Sequence, residues 1–456
     1  MAPRFRADQV GSLLRPKSLV EARKKSTLKW NRLRAGPSKD ASTDDGNIGT
    51  TEEPSDPLVT LRNEQESAIK DVVSEQLKRN ILPIVTGEFE RGIFYGNFFE
   101  SLSGFDVRYT PMENFKKDFP TNRPLAKWGV PGRDAGYPTA KKVTLEKSAY
   151  LDDWLFFRNL LPADQVKNAK MTVPPPGWWH IQLKQPFSPD LFPSDEALLA
   201  DLSAAVRKEI MTLYDHGLRA VQVDDPNLSF FCDEEWITTC KAEGVDLDRL
   251  LELYIKSHND AIHDLPSDLH VGVHICRGNF PNGVGLASGS YERIARKLFN
   301  ETEYKLFYLE FDSPRAGDFT PLKHLPVDKA VVLGVVTTKY AELEDLDELK
   351  ERVYQAADAI AEGQGRARED ALRDNLAVSP QCGFASDHSE GGVGFSRERM
   401  WEKLELVKRL SEEIWPGWNG KRLPRLVIPL SHTHDLMVYG RILRATLIED
   451  WVDWED

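Results

Sequence analysis

V-G-V-H-I-C-R-G-N, residues 271–279, is the segment from which the fold of this chain is most readily inferred. Its alternating apolar residues predict a buried strand that ends in a turn at Gly278. His274 and Cys276 lie two residues apart, and side chains at that spacing on a strand point to the same face. An imidazole and a thiol directed together from a strand end are the beginning of a zinc site. The same pair is also compatible with a core histidine beside a buried structural cysteine.

Eight short apolar segments, including this one, are predicted strands, and helical patterns separate most of them. The predicted strands cover residues 5–12, 81–86, 169–173, 220–223, 269–275, 306–309, 330–336 and 376–379. This alternation predicts an α/β fold, specifically a (β/α)8 TIM barrel. Catalytic groups in such barrels lie at the carboxyl ends of the strands, and polar residues follow nearly every predicted strand here. A doubly wound open sheet would explain the alternation but not this placement of polar residues.

Two regions depart from the regular alternation. Residues 26–57 are dominated by Gly, Ser, Thr, Asp and Pro, which predicts a disordered or loosely held insertion after the first strand. Residues 89–150 are rich in aromatic residues, Pro and Gly, which predicts an excursion with a β-hairpin over one end of the core. We otherwise predict one barrel domain over residues 1–456.

The composition limits the cellular setting and the partners. The net charge of -13 and the pI near 5.4 argue against nucleic acid or an anionic membrane as a partner. Residues 1–15 are basic and polar, which predicts no secretory signal, and no apolar run approaches the length of about 18 residues that a spanning helix needs. Four cysteines are too few for a disulfide framework, so we predict a reduced, cytoplasmic setting. Cys232 and Cys240 are interpreted as core or surface residues. The oligomeric state is not indicated.

Two later strand ends offer the remaining ligands of a metal site. Glu310 ends the sixth predicted strand and Cys382 follows the eighth, so both could converge with the first pair. Two thiolates, an imidazole and a carboxylate suit tetrahedral zinc. These anionic ligands outweigh the charge of zinc, so the site would activate water poorly but would bind a thiol as a nucleophilic thiolate. Simpler explanations remain open, since Cys382 could shape a tight turn and Glu310 could pair with Arg315.

Other polar residues at strand ends are candidates for binding a substrate. Asp224 and Asp225 follow the fourth predicted strand, where a carboxylate could hold an ammonium group or cap a helix. Glu88, after the second strand, has the same two interpretations. Ser12 could present its hydroxyl and backbone N–H to a carboxylate, or merely shape the turn in which it lies.

Six segments together resemble the catalytic barrel of cobalamin-independent methionine synthase, and more closely its short single-barrel relatives. They are F-R-A-D-Q-V-G-S-L-L-R-P, V-T-G-E-F-E-R, V-Q-V-D-D-P, H-I-C-R-G-N, L-E-F-D-S-P-R-A-G-D-F and S-P-Q-C-G-F-A-S. The resemblance covers nearly the whole chain except residues 26–57 and the final tail. It implies zinc bound by His274, Cys276, Glu310 and Cys382. It also implies a homocysteine-type amino acid held by Ser12, Glu88 and Asp224, with alkyl transfer to its sulfur in methionine biosynthesis.

Three departures from the family concern the methyl donor, the proton donor and one acidic pair. The full-length synthase has a second, N-terminal barrel that helps to bind polyglutamylated folate, and this chain has no room for one. The family's proton-donating histidine after strand seven is not evident, since the position reads V-V-T-T-K. Lys339 and His388 are the candidates to replace it. The aspartate–glutamate pair expected after strand four is Asp224-Asp225, which shortens one side chain.

The leading functional hypothesis is therefore a zinc-dependent thiol alkyltransferase, with methyl transfer to homocysteine as its reaction. A different thiol acceptor or a non-folate alkyl donor at the same zinc site is the first alternative. A lyase that resembles uroporphyrinogen decarboxylase would need basic groups for propionates and no zinc, so the ligand set argues against it. A non-catalytic binding barrel is the remaining alternative.

Overall fold

Parallel strands form the centre of the molecule and place their carboxyl ends on one rim. The computed structural model describes residues 2–35, 56–279, 285–385 and 393–417. Six strands pair in parallel, each with its neighbour in sequence. Their bounds are Met171–Val173, Ala220–Asp224, His270–Ile275, Leu306–Glu310, Ala330–Val336 and Leu376–Pro380.

Single backbone bridges join the first two barrel segments to this sheet. Residues 5–12 bridge to the last strand on one side and, through Ser12, to Gly87 on the other. Ile84 bridges in turn to Ala169, just before the first of the six strands. All these bridges are parallel, so eight segments follow one another around a ring. This arrangement confirms the predicted (β/α)8 barrel.

The first two segments form isolated bridges rather than the full strands predicted at residues 5–12 and 81–86. Pro83 has no N–H to donate, which interrupts the second segment. Gly11 and Gly87 have φ values of 138° and 72°, so the backbone leaves the extended conformation at both positions. These bends lie directly before Ser12 and Glu88, two of the predicted site residues.

Helices connect the strands and cover the barrel. They are Lys17–Ala35, Pro57–Arg79, Asn122–Lys127, Leu151–Asn159, Asp195–Asp215, Asn227–Phe230, Glu234–Ala242, Leu247–Ile262, Glu292–Glu301, Leu346–Gln364, Arg368–Asn375 and Arg397–Ile414. Side-chain caps begin several of them: Ser194 and Asp246 accept hydrogen bonds from N–H groups of the first turn. Within the described ranges, every helix is too short or too polar to cross a membrane.

The excursion predicted over residues 89–150 contains two antiparallel strand pairs. Phe105–Pro111 pairs with Gly132–Pro138, and Leu102–Ser103 pairs with Thr144–Leu145. The prediction of a β-hairpin in this region is therefore confirmed. An antiparallel bridge between Phe115 and Leu183 ties the excursion to the segment after the third barrel strand.

The predicted insertion at residues 26–57 starts later than its composition suggested. The helix Lys17–Ala35 includes residues 26–35, and Leu19 and Ala22 in its first half are buried. Helix formers such as Leu, Lys, Arg and Ala continue up to Ala35, and the Gly- and Ser-rich composition begins only at Gly36. Residues 36–55 lie outside the described part of the chain, so the remainder of that prediction is untested.

Candidate metal centre and substrate cavity

Four side chains from three strand ends meet at the mouth of the barrel. His274, Cys276, Glu310 and Cys382 each offer one donor atom, and these atoms all lie within 4.8 Å of one another. His274, Glu310 and Cys382 are buried and Cys276 is partly buried. The structure thus brings together the four residues that the sequence analysis proposed as ligands. A His/Cys/Glu cluster of this geometry could bind a metal ion.

The two sulfur atoms of the cluster interact directly. Cys276 Sγ lies 3.5 Å from Cys382 Sγ, and the backbone N–H of Gly278 donates to Cys276 Sγ at 3.4 Å. Donation from the Cys276 thiol holds the pKa of Cys382 well below its usual value, although burial opposes this. The same contact, together with burial, raises the pKa of Cys276 well above its usual value. Cys382 is therefore the thiol of the pair that ionises first.

His274 is the donor with the fewest protein partners. It is 1% exposed, and neither ring nitrogen has a hydrogen-bond partner among the described residues. Burial lowers the pKa of His274, but the facing Cys382 sulfur more than offsets this, and the net effect raises the pKa to about 9. Buried polar atoms are normally hydrogen-bonded, so an imidazole without a partner in the described part of the chain is available to bind a further ligand.

Glu310 is held by neighbours on the side away from the sulfur atoms. Its Oε1 accepts a hydrogen bond from the Arg277 backbone N–H at 2.7 Å, and its Oε2 pairs with the Arg315 guanidinium at 2.8 Å. Burial raises the pKa of Glu310, and the nearby Cys382 sulfur adds to the effect. The ion pair between Glu310 and Arg315, which was the simpler explanation of this residue, therefore exists. Glu310 forms it and is also one of the four residues of the cluster.

A cavity of about 130 Å³ opens beside the cluster. Part of its wall is polar and consists of Ser12, Glu88, Asp224, His274, Cys276 and Cys382. Another part is apolar and aromatic, with Phe94, Tyr95 and Trp178. The cavity therefore offers both charged side chains and ring faces to one small molecule, as ligand pockets commonly do.

The carboxylates of the polar wall already have protein partners. Glu88 Oε1 pairs with Arg91 at 2.8 Å and accepts a hydrogen bond from the Thr172 hydroxyl at 2.6 Å, while Glu88 Oε2 has no partner in the described part. Asp224 Oδ1 accepts a hydrogen bond from Gln222 Nε2 at 2.6 Å. Burial raises the pKa of Asp224 to about 7 against an opposing effect of His274, and Glu88 contributes to the increase. Among the described residues, Glu88 Oε2 therefore remains for a further partner, and the hydrogen bond of Asp224 engages Oδ1 alone.

Two other predicted substrate residues lie in different surroundings. Ser12 lines the cavity, and its carbonyl accepts a hydrogen bond from the Phe384 N–H at 2.9 Å. Asp225 is not brought to the cavity wall. Its Oδ2 lies 2.7 Å from His258 Nε2, and its Oδ1 accepts a hydrogen bond from the Asn227 N–H at 2.6 Å. Adjacent residues at a strand end point in opposite directions, which explains why only Asp224 of the pair faces the cavity.

The two proposed replacements for the proton donor have different outcomes. Lys339 is buried near the cluster, where its Nζ donates to the Gly278 carbonyl and, at 3.2 Å, to Asn279 Oδ1. It is not part of the cavity wall, so the structure does not bring it to the space for substrate. His388 lies outside the described residues, and its assignment stays a prediction.

Sequence reasoning did not identify the residues of the excursion that reach the cavity. Arg133, on the strand Gly132–Pro138, lines it and donates to Asn122 Oδ1 at 2.8 Å. Thr121 and the aromatic residue Tyr95 also line it. The aromatic composition of residues 89–150 marked the region, but without periodicity it could not show which side chains point inward. Two adjacent tryptophans, Trp178 and Trp179, follow the third strand and were a stronger indication of an aromatic cavity wall, to which Trp178 contributes.

The fold and the cluster define a class: a (β/α)8 barrel with a candidate metal centre of His, Cys and Glu at the mouth. The catalytic-domain model of the cobalamin-independent synthases matches residues 192–393. The uncharacterized protein YxjG of Bacillus subtilis (strain 168) is 31% identical over 415 residues, which cover 91% of this chain and 95% of that protein.

Two solved structures share the fold over most of their length. A protein of Listeria monocytogenes, provisionally described as a vitamin-B12-independent methionine synthase, is 26% identical with a TM-score of 0.61, over 91% of this chain and 99% of that one. A B12-independent methionine synthase of Shewanella sp. W3-18-1, solved with selenomethionine, is 17% identical with a TM-score of 0.59, over 90% of this chain and 97% of that one. This chain belongs to the cobalamin-independent methionine synthase family, among the short relatives of its catalytic domain.

Proposed function

We propose that this chain is a zinc-dependent thiol alkyltransferase that transfers a methyl group to the sulfur of homocysteine and so forms methionine. The observation that carries the proposal is the cluster of four donor atoms within 4.8 Å, beside a cavity that also contains Ser12, Glu88 and Asp224. Membership of a family of methyltransferases supports the reaction type.

The donor set fits zinc. Two sulfurs, one imidazole and one carboxylate match the ligands and the coordination number that zinc prefers, and soft thiolates disfavour magnesium or calcium. A metal ion would also give the buried His274 nitrogen the partner that it lacks in the described part of the chain. When bound by these residues, zinc would lower the pKa of a substrate thiol, so that the thiolate is available at neutral pH.

Glu310 is the ligand that we expect to give way to the substrate sulfur. It is the hardest donor of the set. Its two oxygens already have Arg277 N–H and Arg315 as partners, so the displaced carboxylate would not become an unpaired buried charge. The thiolate would then attack the methyl carbon: its lone pair forms the S–C bond, and the donor leaves with the electron pair of the bond that breaks.

The polar wall can orient the amino-acid end of homocysteine. Asp224, assisted by Glu88, would bind the ammonium group, since each keeps one carboxylate oxygen for it. The turn of Gly11 and Ser12 would receive the substrate carboxylate. Alkyl transfer to another thiol, or from a donor other than folate, would use the same cluster and differ only in these outer contacts.

Calorimetric titration of the zinc-loaded protein with L-homocysteine tests the proposal. If the thiol binds as thiolate, about one proton per homocysteine should be released at pH 7, because a free thiol has a pKa near 8.5. Repeating the titration in buffers with different ionisation enthalpies measures that number. L-homoserine, with oxygen in place of sulfur, is the matched control: its ammonium group can release protons from Asp224, whose pKa is about 7, so homocysteine should release about one proton more than homoserine. Absence of zinc uptake, or homocysteine binding without proton release, contradicts the proposal.

A further inference from the structure

A buried polar network lies inside the barrel below the cavity and ends on Asp224. Its members are Asp8, Lys170, Gln222 and Tyr308, and each is at most 3% exposed. They come from four different barrel segments, so no short-range sequence pattern connects them. A buried polar network of this kind needs every donor and acceptor satisfied, and such networks fix side chains in one arrangement.

Lys170 is at the centre of this network. Its ammonium group lies 2.7 Å from Asp8 Oδ1 and 2.8 Å from Gln222 Oε1, and it also donates to the Gln9 carbonyl. The Tyr308 hydroxyl donates to the other oxygen of Asp8 at 2.8 Å. Three strong acceptors thus occupy the three donors of the ammonium group, and Asp8 balances its charge.

These contacts determine which way the Gln222 amide points. Because Lys170 needs an acceptor, the amide oxygen faces it, and the NH2 group must face the other way. That group donates to the Val10 carbonyl at 2.7 Å and to Asp224 Oδ1 at 2.6 Å. Gln222 and Asp224 lie two residues apart on one strand, so both side chains point into the barrel. A reversed amide would place its oxygen against two other oxygens.

We propose that Gln222, oriented by Lys170, is a positioning residue for the amino group of the substrate. By binding Oδ1 it holds the Asp224 carboxylate with Oδ2 turned to the cavity, where an ammonium group can reach it. This inference rests on the proposed function, because it takes Asp224 as the ammonium site. In the described part of the chain Gln222 hydrogen-bonds to Lys170, Val10 and Asp224 rather than to the metal cluster, so we expect it to act on the substrate through Asp224.

The test compares two thiols that differ in the amino group alone. L-homocysteine and 4-mercaptobutyrate are titrated into zinc-loaded wild type and Gln222→Met, a substitution that keeps the shape of the side chain and removes its donors. We expect homocysteine to bind about tenfold more weakly to the variant, the equivalent of one charge-assisted hydrogen bond, and 4-mercaptobutyrate to change less than about twofold. Gln65→Met is the matched control: Gln65 is also buried, and it donates to the Glu90 carbonyl, outside the network of Lys170 and Gln222. It should affect both thiols equally.

A second variant keeps the inference testable if Gln222→Met does not fold. Lys170→Met combined with Asp8→Asn removes the ion pair as a unit, so no buried charge is left unpaired. It should weaken homocysteine selectively, by less than Gln222→Met. Equal losses for both thiols, or no loss for homocysteine in a folded variant, overturn the positioning role and leave the proposed function intact. A wild type that takes up no zinc or binds neither thiol overturns both.

Discussion

The polar side chains on the two sides of the cavity differ in how many protein partners they have. On the metal side, at the ends of strands five, six and eight, both nitrogens of His274 lack a partner in the described part of the chain. On the other side, at the ends of strands two and four, Glu88 is bound by Arg91, and Asp224 by Gln222. Within the described residues, the imidazole of the metal side thus remains available to an added ligand, whereas protein donors hold one oxygen of each carboxylate on the other side.

This difference has an energetic basis. A buried polar atom without a partner costs about 1–3 kcal/mol, so the two ring nitrogens of His274, which have none among the described residues, favour the binding of an added ligand. A carboxylate that is half satisfied by a fixed donor is instead pre-oriented for one further partner. We therefore expect substitutions on the metal side to abolish binding, and substitutions on the other side to change which thiol is preferred.

The largest effect is expected from the sulfur ligands. Cys276→Ala and Cys382→Ala should each reduce zinc affinity by about a hundredfold or more, because each removes an anionic soft donor. Metal analysis of the purified variants measures this. Cys240→Ala, at a buried cysteine on the helix Glu234–Ala242, is the control and should retain one zinc per chain. Full zinc occupancy in both variants would show that Cys276 and Cys382 are not ligands.

An effect of similar size, but selective for thiols that carry an amino group, is expected on the other side. Asp224→Asn should weaken homocysteine by roughly 2–4 kcal/mol, since it removes one partner of a buried charge pair. A plain alkyl thiol, which has no ammonium group, should lose almost nothing. Binding of both thiols to wild type and variant gives the answer. An equal response of the two thiols would show that the acceptor is not an amino acid, and the metal site would remain with another substrate.

Removal of the contacts that Lys339 makes between loops should lower the zinc affinity of the metal side moderately. Lys339 Nζ binds Gly278 and Asn279, and Asn279 Nδ2 donates to the Gly383 carbonyl at 2.7 Å, so the loops that carry Cys276 and Cys382 are tied together. Lys339→Met should lower zinc affinity by about tenfold, as removal of outer-shell partners commonly does.

Competition with a chelator of known affinity measures the effect of Lys339→Met. Lys339→Arg, which keeps a cationic donor, should recover part of the loss. A normal zinc affinity combined with a large loss of catalytic rate would instead indicate the proton-donor role that the sequence suggested.

The smallest effect on the protein is expected from a change away from the cavity, in residues 36–55. Deletion of residues 36–55, which contain one large apolar residue, Ile48, should leave the thermal midpoint of unfolding nearly unchanged. Leu19→Ala, at a fully buried position of the preceding helix, is the contrasting variant and should cost about 2–5 kcal/mol. Loss of the folded state on deletion would show that the segment packs on the barrel.

The sequence predicted the metal side of the cavity better than the other side. His274 and Cys276 share one short strand, and Glu310 and Cys382 follow strands of their own, so strand-end logic was enough to bring all four together. The same reasoning placed Asp225 beside Asp224 at the cavity, but adjacent residues of a strand face opposite ways, and Asp225 contacts His258 instead.

The buried partners of the other side could not be predicted from sequence. Lys170 meets Asp8 across 162 residues of chain, and Arg91 meets Thr172 across 81. Contacts between positions so far apart depend on the register of the closed barrel, which no local pattern encodes. The helix that extends to Ala35 was missed for a different reason: the Gly- and Ser-rich composition that begins at Gly36 dominates the range 26–57 and conceals the helix formers before it.

X-ray absorption at the zinc edge, with and without L-homocysteine, tests the central claim most directly. In the zinc-loaded protein we predict two sulfur, one nitrogen and one oxygen ligand, from His274, Cys276, Glu310 and Cys382. Homocysteine should replace the oxygen by a third sulfur, while 4-mercaptobutyrate should do the same at higher concentration. A ligand shell that contains other donors, or one that homocysteine leaves unchanged at saturation, would contradict the assignment of this cluster as the thiol-activating site.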